Sequence, residues 1–246
     1  MTQRSVTAIL HAHSNWSYDG SWPLARLARL FGRMGAEASM MTEHDTGFEA
    51  TRFAEFVAEC AAASTPRCRL VPGIEYSCPD NDVHILTWGV DRFLGAGRPV
   101  LETLRDVAEA GGVSIMAHPA RHDAWRLFQP EWAPYLTAIE VWNRKADGLA
   151  PGREALALVR ETGLPATAGL DFHRRKQIWP LANRLAVETA LPLEQGLVKA
   201  LRAGQVVPIA FGLPVLDADG RERQAFGAIN RSAERLRRAA RPLFRR

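Results

Sequence analysis

Short apolar runs rich in β-branched residues recur at residues 6–10, 38–42, 69–76, 84–90, 113–117, 138–142 and 166–170, and their length and composition predict strands. Between them, residues 23–34, 47–62, 99–110 and 152–162 carry apolar side chains at helical spacing, with glycine after several of these segments where a helix C-cap favours it. Strands that alternate with helices in this way predict parallel strands joined by helical crossovers, about seven β/α units in all. A further strand at 184–187 and a helix at 193–203 complete the pattern before the polar turn Asp217-Ala218-Asp219-Gly220. One barrel-like α/β domain over residues 1–220 is expected, followed by a basic tail at 221–246 with a helix over 225–240. No repeat, linker or low-complexity segment interrupts it.

Composition narrows this picture. The 246 residues are 47% hydrophobic and 24% charged, enough for a substantial core. No stretch approaches the roughly 18 uninterrupted apolar residues of a spanning helix, and Met1-Thr2-Gln3-Arg4 runs into a strand without a signal-peptide pattern, so no membrane partner and a cytoplasmic location are expected. Cys60, Cys68 and Cys78 are odd in number and lack CxxC spacing, which argues against a disulfide framework and against a cysteine-rich zinc site. Charge is uneven. Residues 221–246 hold nine arginines against Glu222 and Glu234, a net +7, which leaves −3 on residues 1–220 of the overall +4. The tail reads as a solvated or packed terminal helix, with contact to nucleic acid or another anionic surface as the less favoured alternative.

The chemistry lies where predicted strands end, the positions that converge on one rim of a barrel. His11 and His13 close the first strand, and alternation in an extended segment puts both on one face. His44 ends the second, Glu75 lies near the end of the third, His118 follows the fifth, and Asp171 with His173 follows the seventh. His84 opens its strand instead of closing it; it joins the same rim beside Glu75 only if the third and fourth strands form a hairpin. A lone histidine near an apolar strand is ordinarily a hydrogen-bonded structural residue, and His122 fits loop polarity. So many ionisable groups together are costly to bury unless cations compensate them, and this predicts metal binding.

These residues fall into motifs that resemble those of the polymerase and histidinol phosphatase (PHP) superfamily, in that family's order over the first 173 residues: His11-Ala12-His13-Ser14 with Ser17-Tyr18-Asp19-Gly20, Thr42-Glu43-His44-Asp45-Thr46, Gly73-Ile74-Glu75, Ala117-His118-Pro119 and Gly169-Leu170-Asp171-Phe172-His173. The resemblance implies a distorted (β/α)7 barrel and a trinuclear centre. His11, His13, Glu75 and Asp171 would surround one metal; Glu75 would bridge to a second completed by His84 and His118; Asp19, His44 and His173 would hold a third. Glu43 stands where the family commonly has Asp, and the segment from His13 to Asp19 is one residue longer than usual, so Asp19 also reads as part of a simple polar turn. Two or three ions of zinc, manganese or iron suit this donor set.

Such a centre activates water for attack on phosphorus, with His173 or a metal-bound water as proton donor. The expected activity is hydrolysis of a phosphomonoester or nucleotide-like phosphoester, with a small phosphorylated substrate as partner. Arg121, Arg144 and Arg174 follow predicted strand ends and are candidates to bind phosphate, or to pair with carboxylates such as Asp123 and Asp147. Trp16, Trp22, Trp125, Trp142 and Phe172 are candidates to stack on a base, though packing explains most of them equally well. The rivals are a metal-dependent amidohydrolase, for which a bridging lysine would be expected, and a non-catalytic metal- or nucleic-acid-binding module.

Overall fold

In the computed structural model, which describes residues 2–226 and 228, the predicted strands and helices form a mixed α/β fold around one twelve-stranded sheet. Strand β1 (Gln3–Ala12) pairs antiparallel with β10 (Leu181–Glu188) and parallel with both β2 (Ala38–Met40) and β9 (Ala166–Phe172). From β9 the ladder continues through β8 (Ala138–Asn143), β7 (Val113–Met116), β6 (His84–Trp88) and β5 (Gly73–Ser77) to the short β3 (Glu43–His44), while β4 (Arg69–Val71) pairs with β2.

Helices α1 (Leu24–Arg33), α2 (Ala50–Ala63), α3 (Val100–Glu109), α4 (Arg153–Thr162) and α5 (Leu193–Arg202) lie within a residue or so of four of the predicted segments, and α2 begins three residues later than expected. Helix α1 shows why: Leu24, Leu27, Ala28 and Phe31 share one buried stripe, and the outward positions are polar. Helix α4 stops at Gly163, whose φ of 70° gives the left-handed cap that an L side chain resists.

Two expectations need correction. The strand expected at 38–42 ends at Met40 as β2, with the short β3 beginning only at Glu43, and the one expected at 69–76 is divided into β4 and β5. Pro72 has no amide to donate, and the Met41 carbonyl is taken by the buried Trp88 indole at 2.8 Å, so the ladder cannot run through. Gly73 is needed at this break, because a Cβ there would lie 2.3 Å from Trp88. In addition, β6 runs antiparallel to both β5 and β7, so the regular β/α alternation fails at a hairpin.

Strands β11 (Val206–Ala210) and β12 (Leu213–Pro214) were not anticipated; Pro208 argues against a central strand, and both lie at the end of the sheet where proline is tolerated. Apart from residues 225, 226 and 228, the expected tail helix lies outside the described residues; Phe226 is buried against Trp142. No helix among the described residues is long and apolar enough to cross a membrane.

Candidate metal centre

The ends of β1, β3, β5, β7 and β9 deliver the histidines and carboxylates to one buried place, though not by regular alternation. The β1–β9 register shifts between Leu10 and Ala12, and His11, His118 and Asp171 have φ of 61°, 27° and 47°. Left-handed backbone at a residue other than glycine is strained, and three such positions here are held by the surrounding packing. His11 and His13 still converge, with ring centroids 5.3 Å apart, through a bulge and not through a flat strand.

Glu75 lies at the centre and is 1% exposed. Its Oε1 is 2.6 Å from His84 Nδ1 and 3.0 Å from His118 Nε2; its Oε2 is 3.4 Å from His11 Nε2, 3.2 Å from His13 Nε2 and 3.2 Å from His44 Nδ1. The β5–β6 hairpin, with Ser77 opposite His84, is what brings His84 here. Asp171 Oδ1 is 3.6 Å from the Nε2 atoms of both His11 and His13. Asp19 faces His44 at 3.3 Å and His173 at 3.0 Å. Three overlapping groups have donor atoms close enough to share an ion: His11, His13 and Asp171; His11, Glu75 and His118; and His13, His44 and His173.

The donor set fits metal. His11 Nε2, His13 Nε2, His44 Nε2, His118 Nδ1, Glu75 Oε2 and Asp19 Oδ1 are buried without a hydrogen-bond partner, a costly arrangement for a site built of protein alone. Burial opposes ionisation of Glu75, but His11, His84 and His118 outweigh it and hold the carboxyl well below its usual range. Asp171 is held low in the same way by His11, His173 and Lys145. Burial, reinforced by His44 and His173, pushes His13 well below the ordinary imidazole value. For His173 burial is outweighed by Asp171 and Asp19, which raise it to about 9. Ionised carboxylates beside a neutral His13 are the states in which such groups bind cations.

Several participants were not singled out from sequence. Glu140 on β8, 1% exposed, has Oε1 3.0 Å from His11 Nδ1, while its Oε2 accepts from the His118 amide and from Asn143 Nδ2, each at 2.8 Å. Gly169 makes room for it: a Cβ there would lie 1.8 Å from Glu140 Oε1 and 2.7 Å from His11 Cβ. Glu43 is fully engaged by the Ser14 amide and the Ser17 hydroxyl, which makes it a brace for the first motif. Lys145 Nζ is 3.4 Å from Asp171 Oδ1. The apolar–Glu–apolar pattern of β8 before Asn143 is the only local signal for Glu140, and nothing local marks Lys145.

Of the three arginines, Arg121 reaches the site, with a guanidinium nitrogen 3.1 Å from His84 Nε2. The Arg144 guanidinium lies over the Trp179 ring at 5.0 Å, and the Arg174 amide donates to Gln177 beyond β9. Asp123 is 3.6 Å from Arg126, and Asp147 accepts from the Asn143 amide. His122 takes no part in the three groups. The aromatic expectation is corrected for Trp142 and Phe172, which are completely buried, while Trp16 packs on Phe48 and Phe56 and Trp22 on Phe172. The exposed ring at the centre is Tyr18, stacked on His44 at 5.1 Å.

No protein-family model and no curated protein matches the chain. Solved structures do. PsfC from Pseudomonas syringae superposes with a TM-score of 0.61 at 14% identity over 89% of this chain and 94% of that one. A two-domain protein from Bacteroides vulgatus, containing a predicted PHP-like metal-dependent phosphoesterase, gives 0.58 at 18% identity over 87% of this chain, which spans 66% of that one, just under two-thirds. The lesion-specific endonuclease EndoQ from Pyrococcus furiosus gives 0.53 at 15% identity, covering 81% of this chain and 56% of that one.

Proposed function

Starting from the fold that this chain shares with PHP-like metal-dependent phosphoesterases, as its ordered motifs predict, we propose that it is a metal-dependent phosphoesterase acting on a phosphomonoester or nucleotide-like phosphoester. The observation that carries this reading is Glu75, whose two oxygens face different imidazoles: Oε1 faces His84 and His118, and Oε2 faces His11, His13 and His44. A carboxylate so divided would hold one cation through each oxygen, with His84 and His118 on one side and His11, His13 and His44 on the other.

The barrel reading gains support from the pairing. The ladder runs from β1 to β2 and β4, and, across the single residue Pro72, on through β5, β6, β7, β8 and β9 back to β1. Such a closure would account for residues from β1, β3, β5, β6, β7 and β9 reaching one point.

The residues assigned to hold the ions are His11, His13, Glu75 and Asp171 for one, Glu75, His84 and His118 for the next, and Asp19, His44 and His173 for a third cation position. Bound divalent ions of zinc, manganese or iron would supply Lewis-acid polarisation of a phosphoryl oxygen and a more acidic water. Glu140 orients His11 and, through its amide, His118, as a carboxylate behind a ligating histidine does. Arg121 at the mouth offers charge to the phosphate, and His173, between the carboxylates of Asp19 and Asp171, is assigned the proton transfer to the leaving oxygen. A small phosphorylated substrate is favoured over nucleic acid. Where an amidohydrolase would be expected to carry a bridging lysine, the residue facing imidazoles with both oxygens is Glu75.

The test is hydrolysis of a panel of phosphomonoesters, phosphodiesters, nucleotides and duplex DNA carrying an abasic lesion, after chelation and restoration of zinc, manganese or iron, with Glu75→Gln as control. Metal-dependent phosphate release that the variant lacks is expected. Amide hydrolysis alone would move the assignment to an amidohydrolase, and salt-sensitive DNA binding without turnover would move it to an accessory module.

A further inference from the structure

One cation of the protein itself lies inside the third group. Lys145 Nζ is 3.1 Å from His173 Nε2, 3.4 Å from Asp171 Oδ1 and 4.0 Å from Asp19 Oδ2. His173 Nε2 and Asp19 Oδ2 are themselves 3.0 Å apart, so the ammonium sits at the atoms a third ion would use. Arg121 makes the contrast: it approaches His84 at Nε2, the nitrogen on the far side of the ring from the one that faces Glu75.

The backbone that carries Lys145 is fastened. Asn143 Oδ1 accepts the amides of both Lys145 and Ala146, at 2.9 and 2.8 Å. The Asp147 amide donates to the Asn143 carbonyl at 2.8 Å, and the Asn143 amide donates to Asp147 Oδ2 at 2.7 Å. These four bonds close a tight turn directly after β8, and Asn143 Nδ2 is tied in turn to Glu140. The Lys145 side chain reaches from this turn toward the two carboxylates of Asp19 and Asp171.

We propose that Lys145 supplies the cation of the third position, so that the centre takes two divalent ions, both on Glu75, and a protein ammonium in place of a third. The proposal rests on the metal reading of the site given above. The ammonium donates to Asp171 and lies within ion-pair distance of Asp19, and a divalent ion at the same atoms would face a like charge only a few ångströms away. The fixed ammonium also offers a point charge to a phosphoryl oxygen, whatever the metal supply.

The experiment strips the full chain with chelator and titrates wild type, Lys145→Met and Lys145→Gln with Mn2+ alone, counting ions per chain by elemental analysis and following affinity by calorimetry. Two ions in wild type, and in both variants a third ion or a third binding event at least about tenfold tighter, are expected. Three ions in wild type with affinities unchanged in the variants would overturn the role of Lys145 and leave the metal reading intact. Two ions in all three proteins would also overturn it. No ion in any of them would overturn the metal reading together with this one.

Discussion

Strand β1 has two neighbours in the sheet that treat it in opposite ways. On one edge β10 pairs with it antiparallel through six successive residue pairs, from Gln3 with Glu188 to Ala8 with Asn183, without a shift. Along β10 burial alternates, with Leu181, Asn183, Leu185 and Val187 buried and the residues between them more open. Farther along the same edge, opposite β2, β9 takes over from β10 and is buried throughout; Leu10 pairs with Gly169 but Ala12 pairs with Phe172, so one extra residue is accommodated beside Asp171. His11 and Asp171, opposite each other at that irregularity, both have left-handed backbone. The regular part of that edge buries apolar side chains at no conformational cost. The irregular part accepts strain to turn polar side chains inward, and that is where the histidines and carboxylates meet.

The comparison breaks if the irregular part proves to be ordinary core. The largest expected effect is for Glu75→Gln, which should lower kcat/KM by about a thousandfold or more and remove ions from two positions at once, because one charged bridge serves both. His122→Asn, outside the three groups, should stay within about twofold of wild type in the same assay. Equal activity of the two variants would end the bridging assignment.

The regular part should answer only in stability. Leu185 is completely buried on β10, and Leu185→Ala should cost about 2–5 kcal/mol in denaturant unfolding while the number of bound ions stays the same. Loss of metal in that variant would mean that the two parts are not separable.

A smaller and more selective effect is expected at Glu140, which touches the centre only through the outer nitrogen of His11 and the His118 amide. Glu140→Gln should weaken metal binding about 10–100-fold in calorimetric titration, with a melting temperature of the metal-free protein close to wild type. An unchanged affinity would reduce Glu140 to a packing residue.

Much of this site was legible before any coordinates because strand ends can be recognised from local pattern, and ligand-type residues at strand ends stand out against apolar runs. His11, His13, His44, Glu75, His118, Asp171 and His173 were all found in that way. His84 was conditional on a hairpin that local pattern did not decide, since residues 76–83 read equally well as a loop between two parallel strands. Asp19 read both as a ligand and as a turn, and the structure brings it within 3.3 Å of His44 and 3.0 Å of His173. Arg144 read as a phosphate ligand from its position alone, yet its guanidinium lies over Trp179, because the turn after β8 that directs its side chain is set by Asn143 and Asp147.

The sequence by itself determined the kinds of element, their order, the donor atoms available for a cation and the rim on which they would gather, since each of these follows from short-range periodicity and residue chemistry. Only the tertiary structure decided which donors share a point, that Glu140 stands behind His11 from 129 positions away, that Gly169 leaves the space for it, and that Lys145 enters the third group. Those contacts join residues distant along the chain, and they depend on bulges and left-handed backbone that no periodic pattern announces.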